Sequence, residues 1–358
     1  MKLLKFLIGF CLGLLILILP LSQWQVSDLE PLQTLAVQLD GRKKPLDTVA
    51  REQVTQIHGF THYRQDNGEV EDYFPTYLSL WFNQRDWNQE PFILFSYRPL
   101  KEQVGLDPER KYFSFQELIS SDLPNIFNRV KEKETQGFDL TRDEREALTV
   151  ADRMTLMVNI VGNDNLPLIP HPSDIKGKWV GFEAGETYYQ PAQMVPIRET
   201  YQSMKVIYGE ETENLGAMGS NLGTALQELS PEVYPAPELL QREVNFSALH
   251  PFGKAWKLYI LAFLAMVFGL WFQQLDFYWG SIGIFVAGLG IQSYGFIARM
   301  TIAGRPPVTN MYESVVWVAF GVAAVALLFE LIYRAKYYLL AAAPLAAASL
   351  VLADSLPA

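Results

Sequence analysis

Four long apolar stretches follow one another at the C-terminal end of the chain. Each has 17 to 20 residues with at most one charged side chain: Trp256 to Phe272, Tyr278 to Ile297, Val315 to Ile332 and Tyr337 to Ala353. An α-helix of this length crosses a hydrocarbon core of about 30 Å. Tyr and Trp cluster at the ends of these stretches, where amphipathic rings prefer the headgroup zone. We therefore predict four membrane-spanning helices in this region.

A fifth apolar run lies at the N-terminus. Residues Phe6 to Leu21 carry no charge and follow Lys2 and Lys5, a pattern shared by signal peptides and membrane anchors. The next residues, Leu21-Ser22-Gln23-Trp24, lack the small-x-small pattern of a cleavage site. We therefore predict that residues 1–21 form a retained transmembrane anchor.

The flanking charges predict an orientation, although their bias is small. Lys2 and Lys5 favour a cytoplasmic N-terminus, which places residues 22–254 outside the cytoplasm of a bacterial inner membrane. Arg334 then returns to the cytoplasmic face, whereas Arg299 lies on the outer side.

The segment between the anchor and the other helices is strongly acidic. Residues Ser22 to Lys254 contain 22 basic and 35 acidic side chains, a net charge of -13, and the remaining segments carry +3. Such a domain repels nucleic-acid phosphates and anionic headgroups, so we predict no nucleic-acid partner. The single cysteine, Cys11, excludes an internal disulfide and a Cys-x-x-Cys-His haem attachment site.

Local signals predict a mainly helical extracytoplasmic domain with some β structure, in the range 22–254. Leu35 to Leu39 alternates like a strand and ends at the turn-prone pair Asp40-Gly41. Asp47 or Thr48 can cap a helix, and Thr141-Arg-Asp-Glu144 is a capping box. Further helices are predicted over Tyr77 to Phe82, Asn125 to Glu132, Pro196 to Tyr208 and Leu222 to Leu229. The predicted fold class is an α-helical integral membrane protein, with about five transmembrane helices and this domain between the first and the second.

Residues within the apolar stretches predict packing rather than chemistry. Gly283 and Ala287 have the small-x-x-x-small spacing that lets two helix backbones approach closely. Glu330 lies four residues before Arg334, which predicts an ion pair near the membrane surface.

The most distinctive segment is the loop between the second and third C-terminal stretches. It reads Gly304-Arg-Pro-Pro-Val-Thr-Asn-Met-Tyr-Glu-Ser314. Pro306 and Pro307 oppose a helix, after which Asn310 and Glu313 complete an Asn-x-x-Glu capping box. Starting a membrane helix is a sufficient explanation of this pattern.

The same loop has a functional interpretation. Arg305, Asn310, Tyr312 and Glu313 would form a polar surface at the outer mouth of a helix bundle. Such a surface suits a ligand that bears a carboxylate and is partly apolar.

This loop, continuing into Val315-Val-Trp-Val-Ala-Phe320, resembles the Pro-x-(Ser/Thr)-Asn-x-Tyr-Glu-Ser segment of the CcsA/ResC cytochrome c biogenesis proteins. A second segment, Leu39-Asp-Gly-Arg-Lys-Lys-Pro-Leu-Asp-Thr-Val-Ala50, is similar to the one that opens the soluble region of larger members. A third, Glu243-Val-Asn-Phe-Ser-Ala-Leu-His-Pro-Phe252, leads into the first long apolar stretch.

The resemblance implies a part in system II cytochrome c maturation. There, ResB/CcsB and CcsA/ResC components carry haem across the membrane and present it to apocytochrome c for thioether attachment. It implies five partners for this chain: a ResB/CcsB-like membrane protein, a chain that supplies the remaining CcsA-type helices, apocytochrome c, haem and the lipid bilayer. The family carries its haem on a Trp-rich external loop flanked by histidines, but this sequence has no Trp after Trp317 and no His after His250. We expect another chain to supply that loop and the remaining CcsA-type helices.

The four histidines predict little metal chemistry. His58 and His62 are four residues apart, but Gly59 intervenes and no third ligand is nearby, so no metal site is predicted. His171, between two prolines, is interpreted as a loop residue. His250 lies six residues before Trp256, at the predicted outer interface, where haem could approach; capping a membrane helix is its structural alternative.

The predicted haem vicinity therefore consists of Arg305, Asn310, Tyr312, Glu313 and His250. We predict no catalytic activity of the chain's own, since phosphate-binding loops, nucleophile elbows and zinc helices are absent from the sequence. Two alternatives stay open: a membrane-anchored scaffold or subunit of another complex without a haem role, and a truncated reading frame.

Overall fold

The computed structural model describes residues 2–18, 29–39, 41–65, 68–163, 165–208, 212–272, 275–304, 308 and 311–354. These residues form two compact units. One comprises Asp28–Gln241, and the other combines Met1–Ser27 with Arg242–Ala358.

The first unit is called the soluble unit below, after the prediction for this part of the chain. Within its described residues it contains nine α-helices, a short 3-10 helix (Glu183–Thr187) and six short strands. The helices are α2 (Glu30–Gln33), α3 (Leu46–His58), α4 (Tyr73–Trp81), α5 (Arg98–Gln103), α6 (Phe115–Ser120), α7 (Leu123–Thr135), α8 (Arg142–Ile160), α9 (Pro191–Ile207) and α10 (Thr212–Leu229). The strands are β1 (Ala36–Leu39), β2 (Arg42–Pro45), β3 (His62–Arg64), β4 (Val70–Asp72), β5 (Ile93–Leu94) and β6 (Tyr112–Phe113). They pair as three two-stranded antiparallel sheets, β1 with β2, β3 with β4 and β5 with β6.

Helix α8 begins where its sequence predicts. The Thr141 hydroxyl accepts from the Glu144 amide at 3.3 Å, and the Glu144 carboxylate accepts from the Thr141 amide at 2.9 Å. This reciprocal capping box is confirmed. A second box, between Ser114 and Glu117, starts α6, a helix that the sequence analysis did not predict.

Helix α3 starts differently from the prediction. Its N-cap is Pro45 rather than Asp47 or Thr48. The Asp47 carboxylate is buried, and it accepts a hydrogen bond of 2.6 Å from the hydroxyl of Tyr73 in α4. Burial raises the pKa of Asp47, although Arg51 and Tyr73 oppose that shift. The carboxylate therefore joins two helices instead of capping one.

The second unit, called the membrane unit, is helical throughout its described residues. Its helices are α1 (Lys2–Ile18), α12 (Pro251–Trp271), α13 (Leu275–Ala303), α14 (Met311–Tyr333) and α15 (Tyr337–Asp354). Helix α11 (Pro237–Leu249) runs across the boundary between the two units.

Four described segments are long and apolar enough to cross a membrane: Pro237–Trp271, Phe277–Ala303, Met311–Tyr333 and Tyr337–Asp354. The predicted count was about five. The fifth predicted span corresponds to α1 at the N-terminus. This apolar helix has 17 residues, fewer than any of the four candidate spans. The structure therefore supports a mostly helical membrane protein with four candidate spans.

Helices α1 and α13 approach each other through small residues. A Cβ atom on Gly283 would lie 2.3 Å from the carbonyl oxygen of Phe6, and one on Gly9 would lie 2.1 Å from that of Gly280. A Cβ atom on Gly13 would lie 2.8 Å from the Cβ of Ala287. The packing role predicted for Gly283 and Ala287 is confirmed, and the helix that they contact is α1.

The remaining contacts of the membrane unit link its other helices into one bundle. Helix α12 packs against both α13 and α15, and α14 packs against α15. Buried polar groups also connect α13 to α14. The amide of Gln292 accepts from the Tyr259 hydroxyl at 2.6 Å and donates to the Val316 carbonyl at 3.2 Å. This one side chain therefore ties α12, α13 and α14 together.

Candidate functional site

Two of the predicted site residues lie in the first turn of α14. Tyr312 and Glu313 are both buried there. Arg305 and Asn310 lie outside the described residues, and with Asn310 so does the predicted capping box. The site is therefore built here from Tyr312 and Glu313 and from the residues that surround them.

Arg299, near the end of α13, is the charged partner of these two residues. Its Nε lies 3.6 Å from Glu313 Oε1, and its guanidinium carbon lies 4.8 Å from the centre of the Tyr312 ring. A carboxylate buried in a helix bundle requires a nearby cation, and a guanidinium also stacks well on an aromatic face. The buried Nε of Arg299 has no hydrogen-bond partner among the described residues.

Arg299 was not among the predicted site residues. The predicted stretch ended at Ile297, whereas α13 continues to Ala303 and carries Arg299 within its last turns. A usable signal was present in the sequence, since an ionisable residue at the end of an apolar helix is by default a candidate for function.

Aromatic rings from three helices surround this charged pair. The ring of Phe252 in α12 lies 5.9 Å from that of Phe296 in α13 and 6.4 Å from that of Tyr312 in α14. Phe296 also packs edge-on against Trp317 at 5.6 Å and Phe320 at 5.3 Å. The arrangement combines a cation with an apolar aromatic wall, which suits a flat ligand that bears a carboxylate.

His250 occupies the N-cap of α12, two residues before Phe252. It is exposed, and its backbone adopts the left-handed conformation with φ of 47°. Gly253 makes room for its ring, because a Cβ atom there would lie 2.0 Å from His250 Nδ1. The imidazole therefore lies against Gly253 in the first turn of the helix.

Comparison with known proteins adds one relationship to this geometry. No protein-family model matches the chain. The chain is similar to Protein NrfI of Wolinella succinogenes. The two are 23% identical over 305 residues, which cover 81% of the chain and 32% of NrfI. The chain spans about a third of the length of this curated relative, and the alignment is long enough to include residues of both units.

A second buried carboxylate lies at the far end of α14. Glu330 accepts from the hydroxyl of Tyr278 and, at 2.8 Å, from the backbone amide of Lys336. The sequence analysis had assigned Arg334 as its partner, but the Arg334 amide donates instead to the Glu330 carbonyl at 2.8 Å. Glu330 thus secures the turn between α14 and α15, at the other end of α14 from Arg299 and Glu313.

The other histidines belong to the soluble unit. His58 is buried at the end of α3, and His62 is exposed on β3. His171 accepts at Nδ1 from the backbone amide of Asp174 at 2.9 Å, which agrees with its predicted loop position. Among the described residues, no three His, Cys, Asp or Glu side chains are grouped so as to hold a metal ion.

Proposed function

We propose that this protein is a membrane component of system II cytochrome c maturation. In this role it contributes to the delivery of haem and its attachment to apocytochrome c. The similarity to NrfI supports a relationship with cytochrome c biogenesis, and the loop and helix start at 304–314 support the CcsA/ResC type. A ResB-like protein and a chain with the Trp-rich loop complete the assembly.

The observation that carries this proposal is the Arg299, Tyr312 and Glu313 cluster inside an aromatic wall. Haem is the cargo in this proposal, and its carboxylates match the guanidinium of Arg299. Its flat apolar body matches the rings of Phe252 and Phe296. Glu313 holds the guanidinium in place when no cargo is present.

Three further predicted residues complete the haem vicinity. His250 begins the helix that carries Phe252, and it is exposed at the N-cap of that helix. Arg305 and Asn310 belong to the loop that leads into α14 and stay predictions from the sequence.

The same proposal assigns a place to each unit. The soluble unit lies outside the cytoplasm and the membrane unit lies in the bacterial inner membrane, with α1 as a retained anchor. The acidic soluble unit would dock a basic surface of the ResB-like partner or of apocytochrome c. The chain itself performs no chemistry in this assembly.

Deletion and complementation test the proposal. Cells that lack the gene should lose covalent haem in their c-type cytochromes, and the wild-type gene should restore it. Complementation with Arg299→Gln should restore about a tenth of the haem signal or less, whereas Arg299→Lys keeps the charge and should restore more. Tyr294→Phe, at an exposed position on the same helix, serves as the control.

One outcome would favour the alternative function. If the deleted strain matures its c-type cytochromes normally, and the chain co-purified with its genetic neighbours shows no haem absorbance, the chain is a scaffold or a subunit of another membrane complex. In that case the acidic soluble unit would be its recruiting surface.

A further inference from the structure

A cavity in the soluble unit has an electrostatic character opposite to that of its surroundings. The soluble unit, Asp28–Gln241, contains 20 basic and 34 acidic side chains. The cavity has a volume of about 640 Å³, and the described residues that line it include Arg64, Arg110 and Lys111 but no carboxylate. The volume falls within the range of about 300 to 1,000 Å³ that is typical of small-molecule sites. We call it the β3–β6 cavity, because β3 and β6 contribute to its wall.

Two of these cations are available to a ligand. Arg64 and Lys111 are exposed, and no acidic side chain among the described residues pairs with either of them. The third, Arg110, is already engaged, since its NH1 lies 2.7 Å from a carboxylate oxygen of Glu117. An unpaired cluster of positive charge in a unit this acidic attracts anions to one place.

The back of the cavity holds an oriented, buried imidazole. His58 is 5% exposed, and its ring is stacked between those of Phe92 at 5.0 Å and Tyr112 at 4.3 Å. Its Nδ1 lies 3.0 Å from the carbonyl oxygen of Phe92. A carbonyl can only accept, so Nδ1 carries the proton and Nε2 of the neutral ring keeps a free lone pair. Burial lowers the pKa of His58, which favours the neutral ring.

Aromatic faces complete the lining. Phe60 is 54% exposed although it is a large apolar side chain, and it lies 5.7 Å from the ring of His62. Tyr112 is half-buried, and its ring stacks on that of His58. A flat ring that entered the cavity would cover these faces while its anionic groups reached Arg64 and Lys111.

We propose that the β3–β6 cavity binds a small molecule with a flat conjugated ring and one or more anionic groups. Its carboxylate or phosphate pairs with Arg64 and Lys111, and its ring packs on Phe60 and Tyr112. His58 offers Nε2 as an acceptor at the inner end. This site does not depend on a role in cytochrome c maturation. A titration without binding would overturn the site alone, and a normal deletion phenotype would overturn the proposed function alone.

Titration of the full chain in detergent with two flat anions tests this site and identifies the anionic group. Protoporphyrin IX carries carboxylates, and flavin mononucleotide carries a phosphate; riboflavin is the neutral counterpart of the latter. At least one of the two anions should bind, and riboflavin should bind about tenfold more weakly than flavin mononucleotide if the phosphate is the recognised group. Empty micelles supply the reference for partition into detergent.

Matched variants locate the binding. The double variant Arg64→Gln with Lys111→Gln should lower the affinity for the anion by about tenfold or more. The control, Lys176→Gln with Lys178→Gln, removes the same charge from two exposed positions elsewhere in the soluble unit and should change the affinity less than twofold. Phe60→Ser should weaken binding as well, whereas Phe138→Ser, at another exposed phenylalanine, should not.

Two results would overturn the proposal: neither flat anion binds, or both double variants lose affinity equally. If neither flat anion binds but a poly-glutamate peptide does, with the expected variant dependence, the cavity is a surface for an acidic peptide instead. All four variants alter exposed side chains, so their circular dichroism should match that of the wild type and exclude misfolding as the cause.

Discussion

The guanidinium of Arg299 lies over the ring of Tyr312, with its central carbon 4.8 Å from the ring centre. The two residues belong to different helices, α13 and α14, and Glu313 reaches the same guanidinium from the next position along α14. In the proposed function, this half-buried cation would both hold α13 to α14 and recognise the cargo. Thermal unfolding of Arg299 variants measures the first contribution, and complementation with the same variants measures the second.

Arg299→Gln should lower the free energy of unfolding of the membrane unit by about 1 to 3 kcal/mol, because the buried Glu313 carboxylate then loses the guanidinium beside it. The double variant with Glu313→Gln should recover part of this loss, since the side chain that has lost the guanidinium is then neutral. Thermal unfolding in detergent measures both. Equal stability of Arg299→Gln and the wild type would mean that the 3.6 Å pair contributes nothing.

Sequence reasoning found the parts of this site that depend on near neighbours. Tyr312 and Glu313 were identified because they stand in one short segment with a recognisable pattern. Arg299 was missed because its partner lies fourteen residues away, across a loop, and only the packing of α13 on α14 brings them together. Distance along the chain, rather than residue type, separates what was predicted from what was not.

The same distinction holds for the fold. The Thr141 capping box was predicted because both of its hydrogen bonds join residues three apart. The partner of Asp47 could not be predicted, because Tyr73 is twenty-six residues away in another helix. Likewise, Gly283 indicated a close helix contact, but nothing in its own segment identified α1 as the helix on the other side.

Gly283→Ala should destabilise the membrane unit, because its new Cβ would lie 2.3 Å from a backbone oxygen of α1. We expect a loss of about 1 to 3 kcal/mol, typical of overpacking. Gly290→Ala is the matched control on the same helix, where a Cβ meets nothing within 4 Å. That change should be neutral or stabilise by up to about 1 kcal/mol, as alanine favours a helix over glycine. If thermal unfolding shows equal midpoints for the two variants, α1 does not pack on α13 at this position.

Glu144 predicts a pH-dependent contribution to the stability of the soluble unit. Hydrogen bonds from Lys133 and from the Thr141 amide lower the pKa of Glu144 to about 2. A carboxyl whose pKa is lower in the folded state stabilises that state above its unfolded pKa of about 4.3, and the contribution disappears as the pH falls towards 2. Glu144→Gln should therefore unfold at a lower denaturant concentration than the wild type at pH 7. The difference between the two midpoints should be smaller at pH 3.

Denaturant unfolding followed by circular dichroism measures this difference. Thr149→Ala is the control, because Thr149 is exposed on the same helix and takes no part in its capping. The stability difference between Glu144→Gln and the wild type could be as large at pH 3 as at pH 7. That result would contradict the lowered pKa of Glu144. Thr141→Ala should cost about 1 kcal/mol at pH 7, the usual value of an N-cap.

Tyr278→Phe tests the buried carboxylate at the far end of α14. The hydroxyl of Tyr278 donates to Glu330, which is 1% exposed and whose Oε2 already has no partner among the described residues. Removal of this hydroxyl should lower the free energy of unfolding by about 1 to 3 kcal/mol, because the buried Glu330 oxygen loses its hydrogen bond and has no access to water. Tyr294→Phe removes a hydroxyl from an exposed position of the same helix and should change stability by less than about 0.5 kcal/mol.

Adding Glu330→Gln to Tyr278→Phe should restore part of the loss, since a neutral amide is less costly to bury than a carboxylate. If instead the two tyrosine variants unfold at the same temperature, Glu330 is held by its bond to the Lys336 amide alone.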